Sequence, residues 1–234
     1  MNFLWNFLKS SIARKYIMAA TGAVLVGFVA VHLLGNLQIF FGRDVLNAYG
    51  YHLHALPLPI LWGFRIFLGV CILAHVFFAI WLTIENIRAR VIAYKMKKYV
   101  EAGYASLTMF ITGSLLFVFI VFHILNFTLG IIPGHELTIS HIPLKIGHVE
   151  VEGFDVYSML ISAFSIPWLS LFYIGAMGLL CMHLSHGFSS MFQTLGLRNE
   201  KWRKPLDFAA TAYGWAIFLG FASIPLAVWM KWIK

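Results

Sequence analysis

Charge is what this chain has least of. Only 11% of its 234 residues are Asp, Glu, Lys or Arg, and only 9 of those are acidic. A water-soluble domain carries about 25%, so a soluble globular protein is excluded. Cysteine is nearly absent: Cys71 and Cys181 both lie in apolar segments, with no CxxC or Cys/His spacing. That leaves no basis for a disulfide framework, a zinc knuckle or a cysteine-held iron–sulfur cluster. No glycine-rich dinucleotide fingerprint follows a strand-like run. The N-terminal stretch MNFLWNFLKSSIARKY has no small-residue cleavage site, so a removable signal peptide is not expected. No internal repeat, low-complexity tract or separate soluble domain stands out, and residues 1–234 read as one domain.

What the chain does have is hydrocarbon. Hydrophobic residues make up 61% and the mean hydropathy is +0.83. Apolar runs of the length needed to cross a bilayer, about 20 residues, occupy positions 17–41, 60–87, 106–131, 157–190 and 206–230. The expected fold is an all-α membrane protein of five transmembrane helices. Breaks between the runs mix charge with Gly or Pro, which stop helices, and Pro167 is expected to bend the fourth helix. Basic residues cluster in alternate breaks. Lys9, Arg14, Lys15, Arg88, Arg90, Lys95, Lys97, Lys98, Arg198, Lys201, Arg203 and Lys204 make 12 of the 17 Lys and Arg residues. The opposite side holds Arg43, Arg65, Lys145, Lys231 and Lys234. The positive-inside rule then puts the N-terminus in the cytoplasm. It also accounts for the net charge of +8 without invoking nucleic acid.

The ten histidines divide by depth. His52, His54, His135, His141 and His148 fall in the outer breaks, and His186 lies near the inner end of the fourth run. His32, His75, His123 and His183 lie inside runs one to four, one on each. A single intramembrane histidine can be plain helix-to-helix glue; four on four helices point to a functional site. At 1.5 Å per residue, His32 and His123, ten residues before Gly42 and Pro133, share an outer level. His75 and His183 precede Arg88 and Arg198 by 13 and 15 residues, an inner level. Two imidazoles facing across a bundle can hold a six-coordinate haem iron, suited to electron transfer. Zinc wants three or four ligands near one point, and a proton relay needs no such equal sharing. Two stacked b-type haems are therefore expected, with outer ligands His32 and His123 and inner ligands His75 and His183. Gly, Ala and Ser around these histidines suit both a haem and plain helix packing.

The stretches RKYIMAATG, VHLLGNLQIF, HVFFAIWLTIENIRAR and HLSHGFSSMFQTLG resemble the cytochrome b membrane-anchor subunit of succinate dehydrogenases and fumarate reductases, in its single-chain, five-span, diheme form. The likeness covers runs one to four. It implies one haem ligand on each: His32, His75, His123 and, four residues before Gly187, His183 rather than His186. It further implies two soluble partners at the cytoplasmic face, a flavoprotein subunit with FAD and an iron–sulfur subunit. Succinate and fumarate would interconvert in the flavoprotein. This chain would exchange electrons with membrane quinone, menaquinone in diheme relatives, in the cytoplasmic (inner) membrane of a prokaryote. Candidate groups near the haem propionates are Ser10, Ser11, Arg14, Lys15 and His186. Candidate quinone-side groups are Asn47, Tyr49, His52, His54 and Arg65. Some relatives place a carboxylate near the quinone or just before the fourth ligand; here Cys181 stands two before His183 and Glu85 lies at the cytoplasmic end. Two other classes stay open: a cytochrome b subunit of another quinone-linked dehydrogenase or reductase, and a haem-free transporter or anchor.

Overall fold

The computed structural model describes residues 10–89, 104–131, 141–146 and 148–234. Lys9, Arg90, Lys95, Lys97, Lys98 and His135 lie outside the described residues. Helix α1, Ser11–Asn36, starts where the Ser10 hydroxyl caps the Ile12 N–H at 3.3 Å, satisfying one of the first-turn donors. It tightens into a 3-10 turn, Leu37–Phe41, and stops at Gly42, whose φ of 101° suits only glycine without strain. A short helix α2, Arg43–His54, follows, then α3, Leu58–Arg88. Helix α4, Tyr104–His123, continues as a π turn, Ile124–Thr128. An antiparallel hairpin comes next: β1, His141–Ile146, and β2, Val149–Phe154, paired from His141 opposite Phe154 to Ile146 opposite Val149. The chain then forms α5, Val156–Phe164, α6, Pro167–Thr194, and α7, Arg203–Trp229.

Five of these helices, α1, α3, α4, α6 and α7, are long and apolar enough to cross a membrane. The outward faces of the first three carry large exposed apolar side chains such as Leu34, Val70 and Val118, the surface that lipid would cover. Helix α1 packs beside α3 and α6, α4 packs beside α6 and more lightly against α3, and α7 lies against α6 and α1. The first four spanning helices thus form a ring, with α1 and α4 on one diagonal and α3 and α6 on the other. Helix α2, the hairpin and α5 pack together over one end of the bundle. Leu46 of α2 and Tyr157 and Phe164 of α5 join Ile39 and Tyr173 in the main buried cluster.

One expectation needs correction. The run 157–190 is two helices rather than one bent helix. Pro167 has no N–H to donate and drives Ile166 out of the helical region, to φ −86° and ψ 113°. The buried Ser170 hydroxyl donates to the Phe164 carbonyl at 2.7 Å, where the break has cost that carbonyl its helical partner. The fold is mostly helical, as expected of an all-α membrane protein, and the third break adds the short hairpin. Its strands are short and alternate apolar with polar residues, a pattern submerged beside the long apolar runs.

Candidate metal centre of paired histidines

The four intramembrane histidines meet in two pairs, one across each diagonal. The rings of His32 on α1 and His123 on α4 lie 5.8 Å apart between centroids, at 81°. Those of His75 on α3 and His183 on α6 lie 6.5 Å apart, at 71°. All four are partly buried. The first pair is nearer the capped end, beside α2 and the hairpin; the second is nearer the basic end, which carries Arg14, Arg88 and Arg198.

An imidazole that binds a metal usually has its second nitrogen held by an oxygen acceptor. His75 Nδ1 lies 3.3 Å from the Thr21 hydroxyl and 3.2 Å from the Met18 carbonyl. His183 Nδ1 lies 3.3 Å from the Thr112 hydroxyl. His123 Nδ1 lies 3.3 Å from the Tyr173 hydroxyl, and that hydroxyl accepts from the Asn126 amide at 3.1 Å. In these three residues Nε2 is left for a ligand. His32 differs: the Asn36 amide nitrogen sits 3.5 Å from both ring nitrogens and donates to the His32 carbonyl at 2.8 Å.

The two levels differ in their walls. Around the capped-end pair the walls are aromatic. Phe28 stacks on His32 at 5.3 Å, and Phe119, Phe127 and Tyr173 surround His123 within 6.0 Å. At the other pair the walls are small. A Cβ added to Gly22 would stand 3.3 Å from His75 Cε1, and one added to Gly113 would stand 3.2 Å from His183 Cε1. The π turn starts directly after His123. Its wider i→i+5 bond, Leu129 N–H to the Ile124 carbonyl at 2.9 Å, shifts Asn126 inward until it is 1% exposed. Such π turns frequently occur at functional sites.

The remaining candidates are scattered. Arg14 is buried, pairs with Glu85 and lies 5.2 Å over the Trp81 ring. Ser11 and Lys15 are exposed, and His186 is half-buried. Asn47 is fully buried, donating to Asp155 at 3.0 Å and accepting from the Tyr157 N–H at 2.9 Å. Tyr49 and His52 line an open cleft of about 460 Å³ with Gln38, Asp44 and Lys145. His54 is turned away from that cleft, its Nδ1 on the Gly50 carbonyl at 2.9 Å and its ring against Phe154. Arg65 is exposed and stacks on Trp62.

Thr21 and Thr112 did not stand out in the sequence, yet a signal was present. Helices α1 and α4 share one pattern, TG-x5-F-x3-H: Thr21, Gly22, Phe28, His32 and Thr112, Gly113, Phe119, His123. It is a short internal repeat, spread too thinly to notice without the helices side by side.

Comparison with known proteins finds no matching family model, no similar curated protein and no similar solved structure.

Proposed function

We propose that this chain is a diheme cytochrome b membrane anchor, carrying electrons between an iron–sulfur subunit and membrane quinone in a succinate:quinone oxidoreductase. The observation that carries the haem reading is the meeting of four histidines in two diagonal pairs. Two imidazoles sharing one iron would stand about 6 Å apart between ring centres, taking about 2 Å per metal–nitrogen bond, as with zinc, and about 1 Å from nitrogen to ring centre. The separations of 5.8 and 6.5 Å suit that arrangement. The glycines beside His75 and His183 let each imidazole seat closely against the neighbouring helix, and the phenyl rings beside His32 and His123 offer a flat ligand apolar walls.

Haem, when bound, supplies one-electron transfer between ferric and ferrous iron. The chain's own residues set its place. His32 and His123 would hold the haem near the capped end, and His75 and His183 the haem near the basic end. Thr21 to His32 is 11 residues, so on α1 the levels stand about 16 Å apart at 1.5 Å per residue. Ser11, Arg14, Lys15 and His186 lie toward the basic end, where propionates would need donors. Arg14 already holds Glu85, so a propionate there would share its guanidinium. Quinone would be met at the capped end, with Tyr49 and His52 as candidate donors. The succinate and fumarate chemistry would belong to a flavoprotein subunit docked with the iron–sulfur subunit at the basic end.

A dithionite-reduced minus oxidised spectrum of the purified chain, with haem quantified per polypeptide, tests the reading. Two low-spin b haems are expected. His32→Ala and His123→Ala should abolish the same one, and His75→Ala and His183→Ala the other. A folded but colourless protein would return the histidines to helix contacts or a proton path.

A further inference from the structure

We infer that Thr21 and Thr112 are positioning residues that fix the tautomer of the inner histidine pair and tune the potential of the haem it holds; this rests on the haem reading above. A threonine hydroxyl has one proton and two lone pairs. The Thr21 hydroxyl lies 2.8 Å from the Ile17 carbonyl and 3.1 Å from the Met18 carbonyl of its own helix. The Thr112 hydroxyl stands 3.1 Å from both the Thr108 and the Met109 carbonyls. Carbonyls only accept, so each hydroxyl proton is committed to the helix backbone. Toward the imidazole each threonine can then only accept.

It follows that Nδ1 of His75 and of His183 carries the proton and donates it, which leaves the Nε2 lone pair for iron. His75 provides a second reason, because its Nδ1 also lies 3.2 Å from the Met18 carbonyl. The glycine after each threonine completes the arrangement. A Cβ at Gly22 or Gly113 would crowd the imidazole Cε1, at 3.3 and 3.2 Å, and the ring would have to shift to make room. The repeat gives independent support. Eleven residues are about three helical turns, so on α1 and on α4 the threonine shares a face with a histidine of the capped-end level. Each of these helices thus supplies a histidine to one level and a hydroxyl–glycine seat to the other. Among the described residues the capped-end level has no such pair of hydroxyls: Tyr173 backs His123, and an amide lies across His32.

An acceptor on Nδ1–H makes a ligand imidazole more basic, which favours ferric iron and lowers the midpoint potential. Removing the hydroxyl should therefore raise it. The experiment is a spectroelectrochemical titration of the purified chain carrying both haems, comparing wild type with Thr21→Val, Thr112→Val, Thr21→Ser and Thr112→Ser. Thr112→Val should shift the reduction equilibrium of one haem toward ferrous by threefold to tenfold, a tenfold change being 59 mV for one electron, and Thr21→Val should shift the same haem by less, because the Met18 carbonyl still accepts from His75. The haem affected should be the one lost in His75→Ala, and the Ser variants should stay at the wild-type potential. Where a Val protein does not accumulate, Thr→Ala removes the hydroxyl without adding an apolar branch and decides the matter. Equal midpoints in wild type and variants, or an equal shift of both haems, would reduce the threonines to ordinary helix residues while leaving the haem reading intact. A wild-type chain without haem would overturn both.

Discussion

At the scale of single residues, the capped end is held by one carboxylate. Asp155 is 3% exposed and caps α5 through the Ser158 N–H at 3.1 Å. It also accepts from the Asn47 amide at 3.0 Å and pairs with Arg43. Burial pushes its pKa up, but the hydrogen bonds from Arg43, Asn47 and Ser158 outweigh burial and bring it down from 3.8 to about 2. A depressed carboxylate stabilises the fold above its unfolded pKa and loses that contribution as pH falls toward the folded value. The cap should thus hold its stability from pH 7 to about 5 and lose about 2 kcal/mol between about pH 4 and 2, at about 1.4 kcal/mol per pKa unit. Hydrogen exchange of α2 and α5 against pH would read this. Asp155→Asn should flatten the dependence over that window; an unchanged profile would show that the carboxylate does not stabilise the cap. Asn47→Ala should cost about 1–3 kcal/mol, because it strands the buried Tyr157 N–H.

At the scale of helices, small residues decide how closely neighbours approach. Helix α7 lies so near α6 that a Cβ at Gly214 would stand 2.8 Å from the Cys181 carbonyl oxygen. A backbone oxygen cannot swing aside, so Gly214→Ala should destabilise the bundle by about 1–3 kcal/mol through overpacking. Gly27, on α1, meets nothing within 4 Å. There Gly27→Ala should be neutral or stabilising by up to about 1 kcal/mol from helix propensity. Thermal unfolding of both variants in detergent separates the cases. Equal midpoints would mean that α6 and α7 do not meet this closely. At the basic end the same two helices are tied by Asp207, which accepts from the Ser189 hydroxyl and from Arg198 at 2.8 and 3.0 Å.

At the scale of the whole molecule, five crossings put the basic end and the capped end on opposite faces of a bilayer. A membrane-impermeant thiol reagent should therefore label single cysteines at positions 199–201 and 148–150 from opposite sides. By the positive-inside rule the former would be labelled from the cytoplasmic side. Labelling of both from one side would overturn the five-span reading. The bundle also has an inner symmetry. Helices α1 and α4 carry the same pattern, α3 and α6 supply the other two histidines, and α7 stands outside the ring.

Amino-acid content by itself determined the membrane class, because 61% hydrophobic residues leave no route to a water-soluble surface. The crossings were legible too, since a bilayer of fixed thickness demands apolar runs of fixed length. The rise per residue sorted His32 with His123 and His75 with His183 by depth before any coordinates. Depth is a one-dimensional quantity, however, and says nothing of which face of a helix meets which neighbour. Tertiary structure alone decided that the pairs lie on the two diagonals, and that Thr21 and Thr112, on helices other than those of His75 and His183, back their imidazoles. It also turned Arg14 toward Glu85, 71 positions away, and set the hairpin over the capped end. Local strand and proline signals were present in the chain. What they built depended on surfaces that exist only once the five helices stand together.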